Sequence, residues 1–293
     1  MTYLKTHDET EIYYEHLNKK SNKKQLIFIH GYLSNWTCFR QQINFFKKEK
    51  HPIIFFDLRG HGLSKNPKKE KNNTIEHATQ DIKDIMTKTN TKKAIIIGHS
   101  FGGLIAMNFS IKNPELTEKL IILDSSHKTP EKLKFLIKII EHKLTKYIIK
   151  KALNKKIRTQ KIKNQKEPWD VTKEERKTNP KWFFIKSMLR SNPDTVCYFA
   201  EEALTKKLTN LHKITSPTLI IEHNSDEFYT KQEITETAKK IKNHQLKFYE
   251  GKHDSIIRNP NELIQEIKKF INKETNETFK IKNTPPKKHA KVV

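Results

Sequence analysis

Short apolar runs recur along the chain, separated by longer polar stretches of helical period. "LIFIH" (26–30), "IIFFD" (53–57), "AIIIG" (94–98), "LIILD" (120–124) and "TLIIE" (218–222) are continuous rather than alternating. Runs of this kind suit parallel strands covered on both faces. Between them lie amphipathic stretches, "CFRQQINFFKKE" and "IEHATQDIKDIMTKT", and a helix is predicted from Phe101 to Lys112. The succession βαβαβαβ predicts an α/β fold, a mostly parallel central sheet with helices on both faces. Ahead of it, "TEIYYEHL" follows the turn signal "HDET", and "SNKKQ" leads on into "LIFIH", so the opening reads as an antiparallel hairpin entering the sheet.

After Asp124 the alternation stops. Leu133, Leu136, Ile137, Ile140, Leu144, Tyr147 and Ile148 recur at steps of three and four, with lysines opposite, and Pro180 and Pro193 mark further helix starts. Residues 125–212 are therefore expected to form a helical cap inserted in a core made of 1–124 and 213–273. The sheet resumes at "PTLIIEHNSDEF", continues through "QEITETAKKIK" and "QLKFYEG", and closes with "NPNELIQEIKKFINK". Residues 274–293 read as a basic, disordered tail.

Composition changes this picture little. The chain of 293 residues carries a formal charge of +25, and the 125–212 segment contributes about half of it. The excess is mostly lysine, in a chain rich in Asn and Ile and poor in Gly, as compositional bias alone would produce. No Arg and aromatic stripe of the kind that reads nucleic acid is present, so no specific nucleic-acid partner is expected, although weak association with anionic surfaces is compatible with the charge. Cys38 and Cys197 have no metal or redox spacing, and no apolar run is long enough to span a bilayer. A soluble, cytoplasmic protein without a metal site is expected.

The chain has only seven glycines, and all stand at strand exits: Gly31, Gly60, Gly62, Gly98, Gly102, Gly103 and Gly251. Gly98-x-Ser100-x-Gly102, between a buried strand and a helix, is the pattern of a strained turn that exposes a nucleophilic serine, with the helix dipole facing a developing oxyanion. A serine hydroxyl needs a histidine base, and that histidine needs a carboxylate. Asp226 follows the strand "TLIIE" and His253 follows "LKFYEG", both in loops at the same sheet edge as Ser100.

These motifs, in this order, resemble the α/β-hydrolase superfamily, in particular its serine members with a helical cap after the strand "LIILD". The resemblance runs from about Ile12 to Lys273 and is weakest in the cap. It implies Ser100 as nucleophile, His253 as general base, Asp226 as orienting acid, and an oxyanion hole from the backbone N–H groups of Tyr32 and Phe101. "HNSD" replaces the usual G-x-x-D turn, so Asp124, where some members carry the acid, stays open as the alternative, with Glu227 adjacent to Asp226. "GKHD" also departs from the usual glycine immediately before the histidine. His30 is expected to be a structural hydrogen-bonding residue and His99 a packing residue. Asp57, Arg59 and His61 are expected to lock their loop by an internal ion pair. Trp36, Phe39, Trp169, Trp182 and Phe183 are candidates to line an apolar acyl pocket.

The resemblance thus implies a carboxylic ester or thioester hydrolase for small to medium apolar acyl groups, with no cofactor. Serine in the elbow argues against an epoxide hydrolase or dehalogenase, whose nucleophile in related folds is a carboxylate. Within the fold, a C–C bond hydrolase, a cofactor-free lyase or a perhydrolase is the alternative. From another class, the alternative is a basic binding module for nucleic acid or anionic membrane on a hydrolase scaffold.

Overall fold

The computed structural model describes residues 1–130, 191, 199, 201–202 and 206–273. Most of the 125–212 insertion and all of the 274–293 tail lie outside the described residues. Among the described residues eight strands form one sheet: β1 (Thr2–Lys5), β2 (Glu11–Leu17), β3 (Leu26–Ile29), β4 (Ile53–Phe56), β5 (Ala94–His99), β6 (Thr117–Leu123), β7 (Thr218–His223) and β8 (His244–Tyr249). Their order is β1-β2-β4-β3-β5-β6-β7-β8. From β4 to β8 all neighbours are parallel. Only β2 runs against the rest, antiparallel to both β1 and β4. The opening hairpin therefore joins β2 to β1 across "HDET" and does not join β2 to "LIFIH". The short β1, largely exposed, carries no apolar run that would announce it.

Each central strand sends alternate residues to two cores. On one face Ile27, Ile29, Ile54, Phe56, Ile96 and Ile122 meet α2 (Ile75–Lys88), α3 (Phe101–Lys112) and α4 (Lys231–Lys239). On the other face Leu26, Phe28, Ile53, Phe55, Ile95 and Ile97 meet α1 (Arg40–Lys48) and α6 (Pro260–Asn272). A short helix α5 (Ser255–Arg258) precedes α6. Helix α2 starts where the Thr74 hydroxyl accepts from His77 N, and it buries Ile75, Ala78, Ile82 and Ile85 as one stripe. Each such isoleucine contributes about 1.5–3 kcal/mol by burial. Helix α4 starts with a capping box between Thr230 and Glu233.

Two buried cations tie distant segments together. Arg59 is fully buried and donates to Asp81 in α2 at 2.9 and 2.5 Å, to Asp8 at 2.9 Å and to the carbonyl of Asn72 at 2.8 Å. The lock of the "DLRGHG" loop is thus not internal, as the sequence suggested. Arg59 pairs with Asp81 and Asp8, while Asp57 accepts from Trp36 N and Leu63 N, both at 2.8 Å. Lys119 in β6 is also fully buried and donates to the carbonyls of Phe270 (2.8 Å), Ile271 (3.2 Å) and Lys273 (2.6 Å), closing the C-terminal end of α6. Burial lowers its pKa to about 8.

Candidate active site

The turn between β5 and α3 holds Ser100 at φ 53°, ψ −124°, outside the basins that L-residues prefer. Hydrogen bonds fix it from both sides: Ser100 N donates to Leu123 O at 3.0 Å, and its carbonyl accepts from Gly103 N at 2.8 Å. Space explains the flanking glycines. A Cβ on Gly98 would stand 2.3 Å from Gly102 O, and one on Gly102 would stand 2.3 Å from Ile29 O. The turn can pass between β3 and α3 only without those side chains.

Ser100 Oγ lies 2.9 Å from His253 Nε2, and His253 Nδ1 lies 2.7 Å from Asp226 Oδ2. With Nδ1–H donating to the carboxylate, Nε2 is left to accept from the serine hydroxyl. The other oxygen of Asp226 accepts from Phe228 N (2.6 Å) and Tyr229 N (3.0 Å), which fixes the carboxylate. Burial disfavours the charged Asp226, but His253 and the two amides outweigh it and hold the pKa below the usual value. Burial likewise opposes an imidazolium at His253, and the Asp226 hydrogen bond and charge reverse this, raising its pKa.

The loop bearing His253 turns at Gly251, at φ 149°, where a Cβ would meet Ser255 Oγ at 2.3 Å. Ser225 N donates to Gly251 O at 2.9 Å, so the loops of Asp226 and His253 are bonded to each other. Glu227 accepts from His253 N at 3.4 Å and pairs with Lys252.

Asp124 does not meet His253. Its carboxylate is fully buried and takes the imidazole Nδ1 of His223 at 2.7 Å and the main-chain N of the same residue at 3.2 Å. His223 is the first residue of "HNSD", where the family pattern has glycine, and it is this imidazole that occupies Asp124. His30 donates from Nδ1 to Gly31 O (2.8 Å) and accepts Leu58 N at Nε2 (2.9 Å), a structural role. His99 packs and also bonds, with Nε2 3.0 Å from His253 O.

The backbone of Phe101 opens α3 beside Ser100, and the Tyr32 ring packs edge-on against the Phe101 ring at 6.0 Å. Aromatic groups crowd this end of the sheet. Phe199 lies edge-on 5.3 Å from Phe101, Phe228 lies 4.8 Å edge-on to His253, and Tyr229 is 5.9 Å from it. Trp36 and Phe39 belong elsewhere: they pack on Phe55 (4.6 Å) and Phe28 (5.1 Å) in the core of the opposite layer. Trp169, Trp182 and Phe183 lie outside the described residues. The aromatic positions near Ser100 carry a signal in the sequence, since Tyr32, Phe101, Phe228 and Tyr229 directly adjoin the motifs "HG", "HS" and "DE".

Among the described residues, three groups could gather around a cation. His7, Asp8 and His77 form one, and His7, Asp81 and Asp84 another, but Arg59 already engages Asp8 and Asp81. The third, Asp124, Glu222 and Asp226, is buried. No helix among the described residues is long and apolar enough to cross a membrane.

Residues 24–260 match the family described as alpha/beta hydrolase fold. Epoxide hydrolase 1 of Caenorhabditis elegans is 38% identical over 100 residues, 34% of this chain and 24% of that protein. The match thus spans about a quarter of the length of that curated relative. Among solved structures, the enol-lactonase of Burkholderia xenovorans superposes with a TM-score of 0.75 at 17% identity, covering 93% of this chain and all of that one. The esterase of Exiguobacterium antarcticum superposes with a TM-score of 0.74 at 19% identity, covering 93% and 99%. At such identities the likeness speaks for the fold, and together with the family match across most of the sequence it establishes that this chain belongs to the α/β-hydrolase family.

Proposed function

We propose that the protein is a serine hydrolase that cleaves a carboxylic ester or thioester of a small to medium apolar acyl group. The observation that carries this reading is the continuous hydrogen-bonded line from Ser100 Oγ through His253 to Asp226, with steps of 2.9 and 2.7 Å. His253 takes the hydroxyl proton as Ser100 attacks the carbonyl carbon, and Asp226 stabilises the imidazolium that results. The N–H groups of Tyr32 and Phe101 receive the oxyanion, and the positive end of α3 adds to them. His253 then passes its proton to the departing alkoxide or thiolate, and water repeats the sequence on the acyl-enzyme.

The aromatic faces of Phe101, Phe199 and Phe228 around this line favour an apolar acyl group. Residues 125–212 are the lid in this reading. The chain leaves β6 and returns to the adjacent β7, and the bridge between Lys128 and Lys207 brings the two ends of the excursion together. A serine at the elbow favours acyl transfer over epoxide opening, in spite of the epoxide hydrolases among the relatives.

The test is covalent labelling by a fluorophosphonate, combined with turnover of p-nitrophenyl esters of graded chain length and of styrene oxide. Labelling and ester turnover that both vanish in Ser100→Ala are the expected result. Folded protein that opens the epoxide and ignores every ester would overturn the reading.

A further inference from the structure

Behind the line of Ser100, His253 and Asp226 lies a buried acidic group that this chemistry does not use. One oxygen from each of Asp124, Glu222 and Asp226 lies within 4.8 Å of the other two. Their surroundings differ. Asp226 holds His253, and Asp124 holds His223. Glu222, 1% exposed near the end of β7, has no hydrogen-bond partner for either carboxyl oxygen among the described residues, and the weak pull of the His223 main-chain N–H, already donated to Asp124, is outweighed by burial and the two carboxylates.

Facing Glu222 are Asp124 from the end of β6, Asp226 and Tyr229 from the loop after β7, and Phe248 opposite in β8. None of these supplies a positive charge, and the imidazole of His223 is committed to Asp124. A third buried carboxylate so placed would be desolvated and repelled by two others. Two carboxyl groups in contact with no donor between them are brought to terms by one proton, which turns an acceptor into a donor.

We propose that Glu222 stands as a neutral carboxylic acid in the working protein and donates its hydrogen to the Asp226 carboxylate, as a positioning residue for His253. Asp226 has the capacity for it: of roughly four acceptor sites on a carboxylate, His253 and two amides take three. Burial, followed by the charges of Asp124 and Asp226, pushes the Glu222 pKa strongly upward, in agreement with this state. The donated hydrogen draws charge from Asp226 and fixes its second face. It thereby sets how strongly His253 holds a proton. This role rests on the function proposed above, whereas the protonation of Glu222 does not.

The decisive measurement is infrared difference spectroscopy of the whole protein at neutral pH, wild type against Glu222→Gln. A carbonyl band of a protonated carboxylic acid, shifted in D2O and missing from the variant, is expected. Its absence, or a metal ion found by elemental analysis to stay with the protein through gel filtration, would overturn the proposal. The pH profile of kcat/KM for a p-nitrophenyl ester gives the second readout. Glu222→Gln keeps a donor and leaves the acidic limb in place, while Glu222→Met removes it and moves the limb up by about half a unit. A limb that moves down in Glu222→Gln marks an ionised Glu222 and sinks the idea. Fluorophosphonate labelling of Ser100 tests the parent reading separately, so the two can fail independently.

Discussion

The imidazole of His99 reaches across the sheet edge to the main-chain oxygen of His253, 3.0 Å away, and joins the strand that ends at Ser100 to the loop that carries the histidine. Burial holds the His99 pKa down at about 3, so this ring stays neutral and keeps its hydrogen bond across the working range of pH. Replacing it by phenylalanine keeps the packing and removes the bond, a loss of about 1 kcal/mol. The expected outcome in ester kinetics is a kcat about fivefold lower, with KM and the acidic limb unchanged. A shifted limb would show that His99 acts through charge instead of position.

Backbone strain at Ser100 gives a second expectation. Its φ of 53° with ψ of −124° costs a residue with a Cβ about 1–3 kcal/mol. Ser100→Gly recovers that strain, less about 0.5–1 kcal/mol for the entropy of glycine. The glycine variant is expected to be about 1 kcal/mol more stable than wild type, and the alanine variant is not. Chemical denaturation of both, each inactive, checks this; equal stabilities would mean that the turn is relaxed.

Asp226→Asn should lower kcat by roughly 10⁴-fold, the cost of fixing the wrong histidine tautomer. The same substitution has a distinct signature in stability. His253 has a raised pKa in the fold, so its contribution is full below its ordinary value of 6.5 and fades as pH rises through the raised one. Asp226 has a lowered pKa, so its contribution is full above the ordinary 3.8 and fades as pH falls through the lowered one. The Tm difference between wild type and Asp226→Asn is therefore expected to be largest between these two ordinary values and to shrink toward alkaline pH. A difference flat in pH would show that the two groups are not coupled. Stability from this pair thus peaks where His253 is protonated, and activity begins where it is not.

Much of the architecture is legible because the strands from β3 to β7 are apolar on both sides, and a run such as "AIIIG" admits few other readings. Ser100, Asp226 and His253 are legible for a related reason: each lies in a loop after a predicted strand, at the edge where a parallel sheet presents its loops. Pairings across the fold were not. Nothing near Arg59 in sequence announces Asp81, twenty-two residues on in α2. In sequence His223 reads only as a missing glycine, and its pairing with Asp124 follows from β6 and β7 lying side by side. Trp36 and Phe39, candidates for the pocket lining, turn out to be core, because the layer a segment covers depends on where its strand sits in the sheet, which spacing alone does not encode. Glu222, at the end of "TLIIE", has the pattern of a solvent-facing strand residue, and only the neighbouring Asp124 and Asp226 give it another meaning.

Arg59 offers a test of the buried ion-pair network. Arg59→Met leaves Asp81 and Asp8 without their cation, and removal of one partner from a buried pair costs about 3–5 kcal/mol. The double variant Arg59→Met, Asp81→Leu removes the stranded charge with the cation and should regain most of that loss. Denaturation midpoints of the single and double variants decide it; a double variant no more stable than Arg59→Met would show that Asp81 carries no uncompensated charge.

The hold of Lys119 on the last turn of α6 bears on how the chain is made. Its ammonium is held by three carbonyl acceptors of residues 270–273. During synthesis β6 leaves the ribosome long before those residues do, and an unpaired buried ammonium costs several kcal/mol. The central sheet therefore closes fully around Lys119 only once residues 270–273 have been made and folded back. A chain cut before residue 270 would leave that ammonium without its acceptors and the β6 end of the core open to water.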